Sequence, residues 1–435
     1  MALRTRPACA DQGPNGYRSE GSARYRGRAV LAVGVLLVLA VVSCGADESA
    51  EDQSPRSVLD RPGSRPPVST SGREAMSSSS VPRTVGPAAS AEPVPPGSST
   101  PTLPGGCSSA DLTVAERVRL LLFVTVDPTG PGLAAGLKTG AGGIFLPAGS
   151  ADLVARGAVN DAVDTAPRPP LVAVDEEGGR VQRLASVVGR LPTARDMARL
   201  GPAAIRKLAR DHGEGLRSLG ITMDFAPVLD VVDDDEIGGS GAIGDRSFSS
   251  DPAVVTESAG AFAAGLAEAG VIPTYKHFPG HGHASGDSHR GVVVTPPLDA
   301  LGPDLEPYRQ LLSADPQPVA VMVGHLVVPG LTNGEPATVS REAVTGLLRE
   351  TYGFDGLIVT DDLSGMRGIL DRYSTTEAAV RAVEAGVDMV LIPTSDAQRV
   401  ARAIEAAVAG GRLSVAQLNA SADRVLRSAS SPRCG

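Results

Sequence analysis

Eight short runs of β-branched and apolar residues recur from residue 121 onward, and they constrain the fold more than any other feature. They are Leu121–Val126, Gly143–Pro147, Leu171–Asp175, Met223–Val228, Ile272–His277, Ala320–His325, Leu357–Asp361 and Met389–Pro393. Runs this short, bounded by turn residues, read as buried strands rather than helices. Between most of them lie Ala-rich amphipathic stretches. Pro252–Ala269 ends at Gly270; Thr375–Ala385 opens with Ser374-x-x-Glu377 and ends at Gly386. Thr113-x-x-Glu116 is a capping box for the first helix, and Asp396–Ala409 and Ser414–Ser428 read as the last two. Strand–helix alternation over about 320 residues predicts an α/β fold, a single (β/α)8 barrel. An open doubly wound sheet is the alternative, but no Gly-x-Gly-x-x-Gly turn follows the first strand.

In a barrel the carboxyl ends of all strands share one face, so residues far apart in sequence meet there. Strand three runs into Asp175-Glu176-Glu177 and on to Arg183. Strand five ends in Lys276-His277, strand six in His325, strand seven in Asp361-Asp362. The densest stretch is Lys276-His277-Phe278-Pro279-Gly280-His281-Gly282-His283, followed by Asp287-Ser288-His289. It holds four of the six histidines and one of only three lysines. After Lys276-His277 it is rich in Gly and lacks an apolar period, as a mobile loop would be. Three readings compete. It is a turn with solvated histidines, a metal site built from the imidazoles at 277, 281, 283 and 289, or an Asp-x-His dyad. In the dyad Asp287 and His289 project to one side, and the carboxylate orients the imidazole for acid/base work. Spacing leaves the metal site and the dyad both open. His283 itself is read as solvated.

Charge and composition narrow the partners. The formal net charge of −9 disfavours nucleic acid. Aromatic residues are 3% and Trp is absent, which disfavours a stacking platform for long polysaccharides and leaves a small ligand held by polar groups. Residues 1–44 read as a targeting segment: Arg24, Arg26 and Arg28 precede an apolar run from Ala29 to Val42, then Ser43-Cys44. The run is too short for a membrane span, and small residues before Cys44 look like a lipobox. Lipidation at Cys44 would anchor the chain outside the cytoplasm, on the membrane, facing the wall. Residues 45–106, rich in Ser, Pro, Gly and Thr, read as a disordered tether, and residues 107–435 as the globular domain. Cys107 and Cys434 remain at the two ends of that domain and are expected to pair in an oxidising compartment.

Several blocks then fall in a recognisable order. They are Val174-Asp175-Glu176-Glu177-Gly178-Gly179-Arg180-Val181, Asp224-Phe225-Ala226-Pro227-Val228-Leu229-Asp230-Val231, Ile243-Gly244-Asp245-Arg246-Ser247-Phe248, Lys276 through Gly282, Asp287-Ser288-His289, and Thr360-Asp361-Asp362-Leu363-Ser364. Residues 111–430 thereby resemble glycoside hydrolase family 3, in its single-domain β-N-acetylglucosaminidase branch and most of all its actinobacterial lipoproteins. The resemblance implies Asp361 as nucleophile, His289 as acid/base and Asp287 as its partner. It implies sugar contacts from Asp175, Arg183, Arg246, Lys276 and His277, and a structural role for Asp362. It also implies a retaining mechanism without cofactor or metal, acting on terminal β-linked N-acetylglucosamine in peptidoglycan fragments of the GlcNAc–MurNAc type. Phosphorolysis or β-glucosidase activity, a metal-dependent barrel hydrolase and a non-catalytic sugar-binding lipoprotein are the alternatives. A monomer is expected. The chain departs from the family pattern at Thr360, where Ser is usual, and at Gly365, which separates Ser364 from Met366.

Overall fold

The computed structural model describes residues 109–429, apart from 130, 167, 236–240 and 314–317. Cys44, Cys107, Cys434, the signal segment and the tether lie outside the described residues. All eight expected strands form: β1 Leu122–Thr125, β2 Gly143–Phe145, β3 Leu171–Val174, β4 Met223–Asp224, β5 Ile272–Phe278, β6 Ala320–Val323, β7 Leu357–Thr360 and β8 Val390–Pro393. They lie parallel, in the sheet order β7-β6-β5-β4-β3-β2-β1-β8. The Val359–Met389 bridge brings β7 to β8 and rounds the sheet into a barrel. Thr360 reinforces that thin seam: its N–H donates to Met389 O at 3.0 Å, and its Oγ1 accepts from Leu391 N at 2.9 Å. Its hydroxyl, which the usual Ser would also supply, is buried and helps close the barrel.

The principal helices are α1 Val114–Leu120, α2 Pro202–Ser218, α3 Pro252–Glu268, α4 Gly302–Ser313, α5 Thr375–Ala385, α6 Ala397–Ala409 and α7 Val415–Ala429. The Thr113–Glu116 capping box forms as expected, and Ser374 caps α5 by accepting from Glu377 N. Their apolar stripes cover strands whose residues are almost all buried, giving one continuous core.

Two local departures matter for the site. β4 is two residues long rather than the expected Met223–Val228, since Pro227 has no N–H for a ladder; beyond it the pairing with β5 continues as separate contacts, Thr274 N to Ala226 O and Leu229 N to Lys276 O, each 2.7 Å. In β5 the register slips, so that Lys276 and His277 stand together opposite Met322 alone. The Lys276–His277 and Phe278–Pro279 peptides are cis.

At the opposite end of the barrel, fully buried Asp388 collects Arg424 Nη1 at 3.0 Å, Arg349 Nη2, Ser421 Oγ at 2.8 Å and Ile358 N at 2.9 Å. The carboxylate fastens α7 to the base of β7. Asp388→Ala leaves two guanidinium groups without their acceptor, and unfolding free energy is expected to fall by about 3 kcal/mol. Urea denaturation followed by circular dichroism reads the change; a loss below about 0.5 kcal/mol would mean that the cluster contributes little.

Candidate active site

A cavity of about 510 Å³ opens at the carboxyl ends of the strands and is lined by the eight catalytic and sugar-contact residues that the resemblance implied, Asp175, Arg183, Arg246, Lys276, His277, Asp287, His289 and Asp361, but not by His283 or His325. Its apolar lining includes Phe145, Phe225, Met322 and Leu391. Phe225 packs on Phe123 and Phe145 with ring centroids 5.4 and 5.3 Å apart, so the aromatic core continues up to the site.

Charge is arranged as a cage. Lys276 Nζ, with a side chain 3% exposed, lies 3.0 Å from Asp175 Oδ1 and 2.6 Å from Glu177 Oε1. Arg246 grips Glu177 with two bonds, Nε to Oε2 at 2.7 Å and Nη2 to Oε1 at 2.8 Å. Arg183 Nη2 donates to Asp175 Oδ2 at 3.1 Å, while its buried Nε has no partner. Burial alone would raise the Glu177 carboxyl, but Arg246 and Lys276 outweigh it and hold Glu177 far below the usual carboxylate range. Burial likewise opposes the charge on Lys276, and Asp175 and Glu177 outweigh it, raising the lysine. Glu176, between the two cage acids, turns inward. It accepts from Arg183 N at 2.7 Å, Leu184 N at 2.5 Å and His212 Nε2, fixing the hairpin Glu176–Gly178/Val181–Gln182 that carries the cage.

Asp361 follows β7 directly, and its N–H donates to Val323 O at 3.1 Å at the end of β6. Asp362 N donates back to Asp361 Oδ1 at 2.9 Å. Burial works against ionisation of Asp361. His277, His325, the Asp362 amide and Lys276 together prevail, and the carboxyl is lowered. Asp362 turns away, its Oδ1 accepting from Ser364 N at 2.8 Å and Ser364 Oγ at 2.6 Å. His325, buried behind this pair, bonds through Nε2 to Asp362 O at 3.0 Å and through Nδ1 to Thr338 Oγ1 at 2.8 Å.

Asp287 and His289 occupy the loop after β5. Asp287 Oδ1 accepts from His289 N at 2.9 Å and from its Nδ1 at 3.1 Å. Nδ1–H is thus committed to the carboxylate, and Nε2 is left open on a side chain 67% exposed. Burial would raise Asp287, and the bonds from His289 lower it on balance. The loop can pass here only because residue 282 is glycine: a Cβ would lie 1.6 Å from Val231 O.

The four imidazoles of the loop region do not converge. His277 Nδ1 meets Asp230 Oδ2 at 2.7 Å, His281 Nε2 lies 3.4 Å from Ser288 Oγ, His283 Nδ1 meets Asp304 Oδ2 at 2.8 Å, and His289 meets Asp287. Among the described residues no group of three or more His, Cys, Asp or Glu side chains is placed to hold a metal ion. His283, expected to be solvated, is paired instead; its two carboxylate neighbours come from segments distant in sequence. Reading the sequence also missed Glu177 and Asp230 as site residues. The signal for Glu177 was its i+2 spacing from Asp175 across the strand end. Asp230 gave none beyond its place in a motif; buried completely, it accepts from His277 Nδ1, His277 N and His281 N.

Comparison with known proteins follows the same lines. The model of the glycosyl hydrolase family 3 N terminal domain matches residues 116–428. Over 336 residues the chain is 46% identical to the beta-hexosaminidase LpqI of Mycobacterium tuberculosis, covering 74% of this chain and 85% of that one. The crystal structure of a GH3 glycosyl hydrolase from Mycobacterium smegmatis aligns with a TM-score of 0.69 at 46% identity, over 74% of this chain and 98% of that one. The β-N-acetylhexosaminidase of Beutenbergia cavernae aligns with a TM-score of 0.67 at 32% identity, over 74% and 99%. A cavity of paired carboxylates and cations at the strand ends of a parallel barrel, on a sequence matched from 116 to 428, places this chain in glycosyl hydrolase family 3 as a glycoside hydrolase.

Proposed function

We propose that the protein is a retaining β-hexosaminidase that removes terminal N-acetylglucosamine from peptidoglycan fragments of the GlcNAc–MurNAc type. β-Hexosaminidase is the activity named for the mycobacterial relative at 46% identity. The observation that carries the reading is a single cavity bordered both by a carboxylate kept in its ionised form, Asp361, and by a histidine whose Nε2 is open, His289.

In the first step an Asp361 oxygen attacks the anomeric carbon. The glycosidic C–O bond breaks, and the leaving oxygen takes the proton from His289 Nε2. Asp287 holds Nδ1–H throughout and stabilises the imidazolium form of the acid. In the second step His289 accepts a proton from water, whose oxygen displaces Asp361 from the sugar. Asp175 and Arg183 would meet sugar oxygens, with Lys276 holding Asp175, Arg246 holding Glu177 beside it, and His277 lining the same cavity.

On the aglycone side, Arg290 is 87% exposed, lines the cavity and touches a carboxylate only loosely, with Nε 3.5 Å from Asp287 Oδ2. An exposed guanidinium beside the acid/base suits a leaving group that carries a carboxylate, as the lactyl ether of muramic acid does. The proposed setting, outside the cytoplasm on a lipid anchor at Cys44, is supported by the basic, apolar and small-residue pattern of residues 24–44.

Purified residues 45–435 are expected to release nitrophenol from nitrophenyl β-N-acetylglucosaminide, with EDTA making no difference. Asp361→Ala is expected to lower kcat by about 10⁴-fold and His289→Ala by about 10² to 10⁴-fold, with azide restoring His289→Ala as the β-glycosyl azide. Loss of activity in EDTA would move the reading to a metal-dependent hydrolase, and an active Asp361→Ala would remove the nucleophile assignment. For Arg290→Ala, kcat/KM for a carboxylate-bearing aglycone relative to a neutral one is expected to fall about threefold. An unchanged ratio would take Arg290 out of the aglycone site.

A further inference from the structure

We propose that His283 is a positioning residue that clamps the root of the loop carrying Asp287 and His289 between Asp304 of α4 and Asp233 of the segment after β4. The functional part of this inference rests on His289 being the acid/base group; the clamp itself does not.

The loop leaves β5 through a narrow passage. At Gly280, with φ +129°, a Cβ would lie 2.5 Å from the Cβ of Asp304, and at Gly282 one would strike Val231 O. The chain therefore threads between α4 and the 231–233 segment, and His283 is the first side chain beyond the passage. It reaches both walls. Nδ1 lies 2.8 Å from Asp304 Oδ2, and Nε2 lies 3.5 Å from Asp233 Oδ1. The His283 backbone N–H adds a longer contact to Asp304 Oδ1 at 3.4 Å. Asp304 is 1% exposed, so its charge is held where water cannot screen it, whereas the Asp233 side chain is 74% exposed.

Both ring nitrogens face a carboxylate. A neutral imidazole donates from only one of them; the imidazolium donates from both. The hydrogen bond to Asp304 is the largest influence on His283, burial acts against it, and the charges of Asp304 and Asp233 add to the first, raising its pKa. Asp304 and Asp233 are the charged groups among the largest influences on it. Neighbouring Asp234 is engaged by Ser250 Oγ and Arg195. For a raised histidine the sign is fixed. The double clamp is complete below the ordinary histidine pKa of about 6.5 and is lost as pH rises through the raised value. Above it Nδ1–H still holds Asp304, and the tie to Asp233 lapses. Between His283 and the dyad, Ser285 N donates to Val294 O at 2.8 Å, and Ser288, between Asp287 and His289, is held by Gly368 N on its O at 2.8 Å and by His281 near its Oγ. Loosening the root therefore leaves the loop in place and acts on the dyad only through the 283–287 stretch that leads into Asp287, a modest effect.

The test uses residues 45–435 as wild type, His283→Gln and Asp233→Asn; the last is an exposed change that keeps the fold testable if the first does not. Two readouts are taken between about pH 5 and pH 9. The first is the NMR titration of the His283 ring, expected above the ordinary histidine value and lower in Asp233→Asn. The second is kcat on nitrophenyl β-N-acetylglucosaminide. The ratio of wild type to each variant is expected to be about threefold near pH 6 and to approach one above the His283 pKa, with KM unchanged. A His283 pKa at or below the ordinary value, or one insensitive to Asp233→Asn, overturns the clamp. A normal titration with a pH-independent rate ratio overturns its role in catalysis. Should His289→Ala prove fully active, the acid/base reading fails, and the titration still decides the clamp.

Discussion

The buried charge cage formed by Lys276, Glu177, Arg246, Asp175 and Arg183 is the constraint on which the site depends. Moving an ammonium group from water into the position of Lys276 costs several kcal/mol unless it is paired, and here it meets two carboxylates at 3.0 and 2.6 Å. Each of those is held from behind by an arginine. The members come from the end of β3, the bulge of β5 and the turn at Gly244–Arg246, so satisfying one lysine fixes three loops relative to the barrel. Lys276 and Glu177 are the buried charges of the set, and displacing either one's partners would leave it underpaired. The bulge earns its place in the same way, setting Lys276 and His277 side by side opposite Met322.

From the cage, order passes outward through Asp230. Its carboxylate collects three N–H groups, two from His277 and one from His281, and His281 in turn lies beside Ser288 between the two dyad residues. The rings of His277 and His281 meet edge-on with centroids 6.0 Å apart. Around Asp361 the support is of another kind. Thr360 seals the β7–β8 seam just before it, and His325, bonded to Thr338, holds the Asp362 carbonyl just after it. The two halves of the site are thus anchored to different parts of the barrel.

Barrel and strand ends were legible because both follow from period and position: apolar runs of strand length cannot be hidden elsewhere, and parallel strands end on one face. Asp175, Lys276, His277 and Asp361 were accessible by that logic; the i, i+2 spacing of Asp287 and His289 marked them as a possible dyad but left a metal site equally open, and the family resemblance singled them out. What escaped was pairing across the fold. A sequence shows that Glu177 and Arg246 are charged, but not that each is the other's partner, 69 positions away. Lys276, Arg183 and Arg246 were expected to serve the sugar directly; the structure turns Lys276 toward Asp175 and Glu177, Arg246 toward Glu177 and Arg183 Nη2 toward Asp175. His283 was misjudged for the same reason, since both of its acceptors belong to other segments. The short β4 could have been foreseen from Pro227, which cannot donate to a ladder.

The unequal exposure of the two candidate groups fits the reaction proposed for them. Asp361 must keep one position, since attack on the anomeric carbon tolerates little misplacement, and its backbone and carboxylate are tied to β6 and to the following peptide. His289 has to meet a leaving group in one step and water in the next, so it has to stand where both can come and go. A ring 67% exposed, fixed at Nδ1 and open at Nε2, meets that requirement in a way that a fully packed histidine could not. The cost is that its position depends on a loop rather than on the barrel. That is why the passage at Gly280 and Gly282, and the first charged side chain beyond it, bear on chemistry carried out six residues further along.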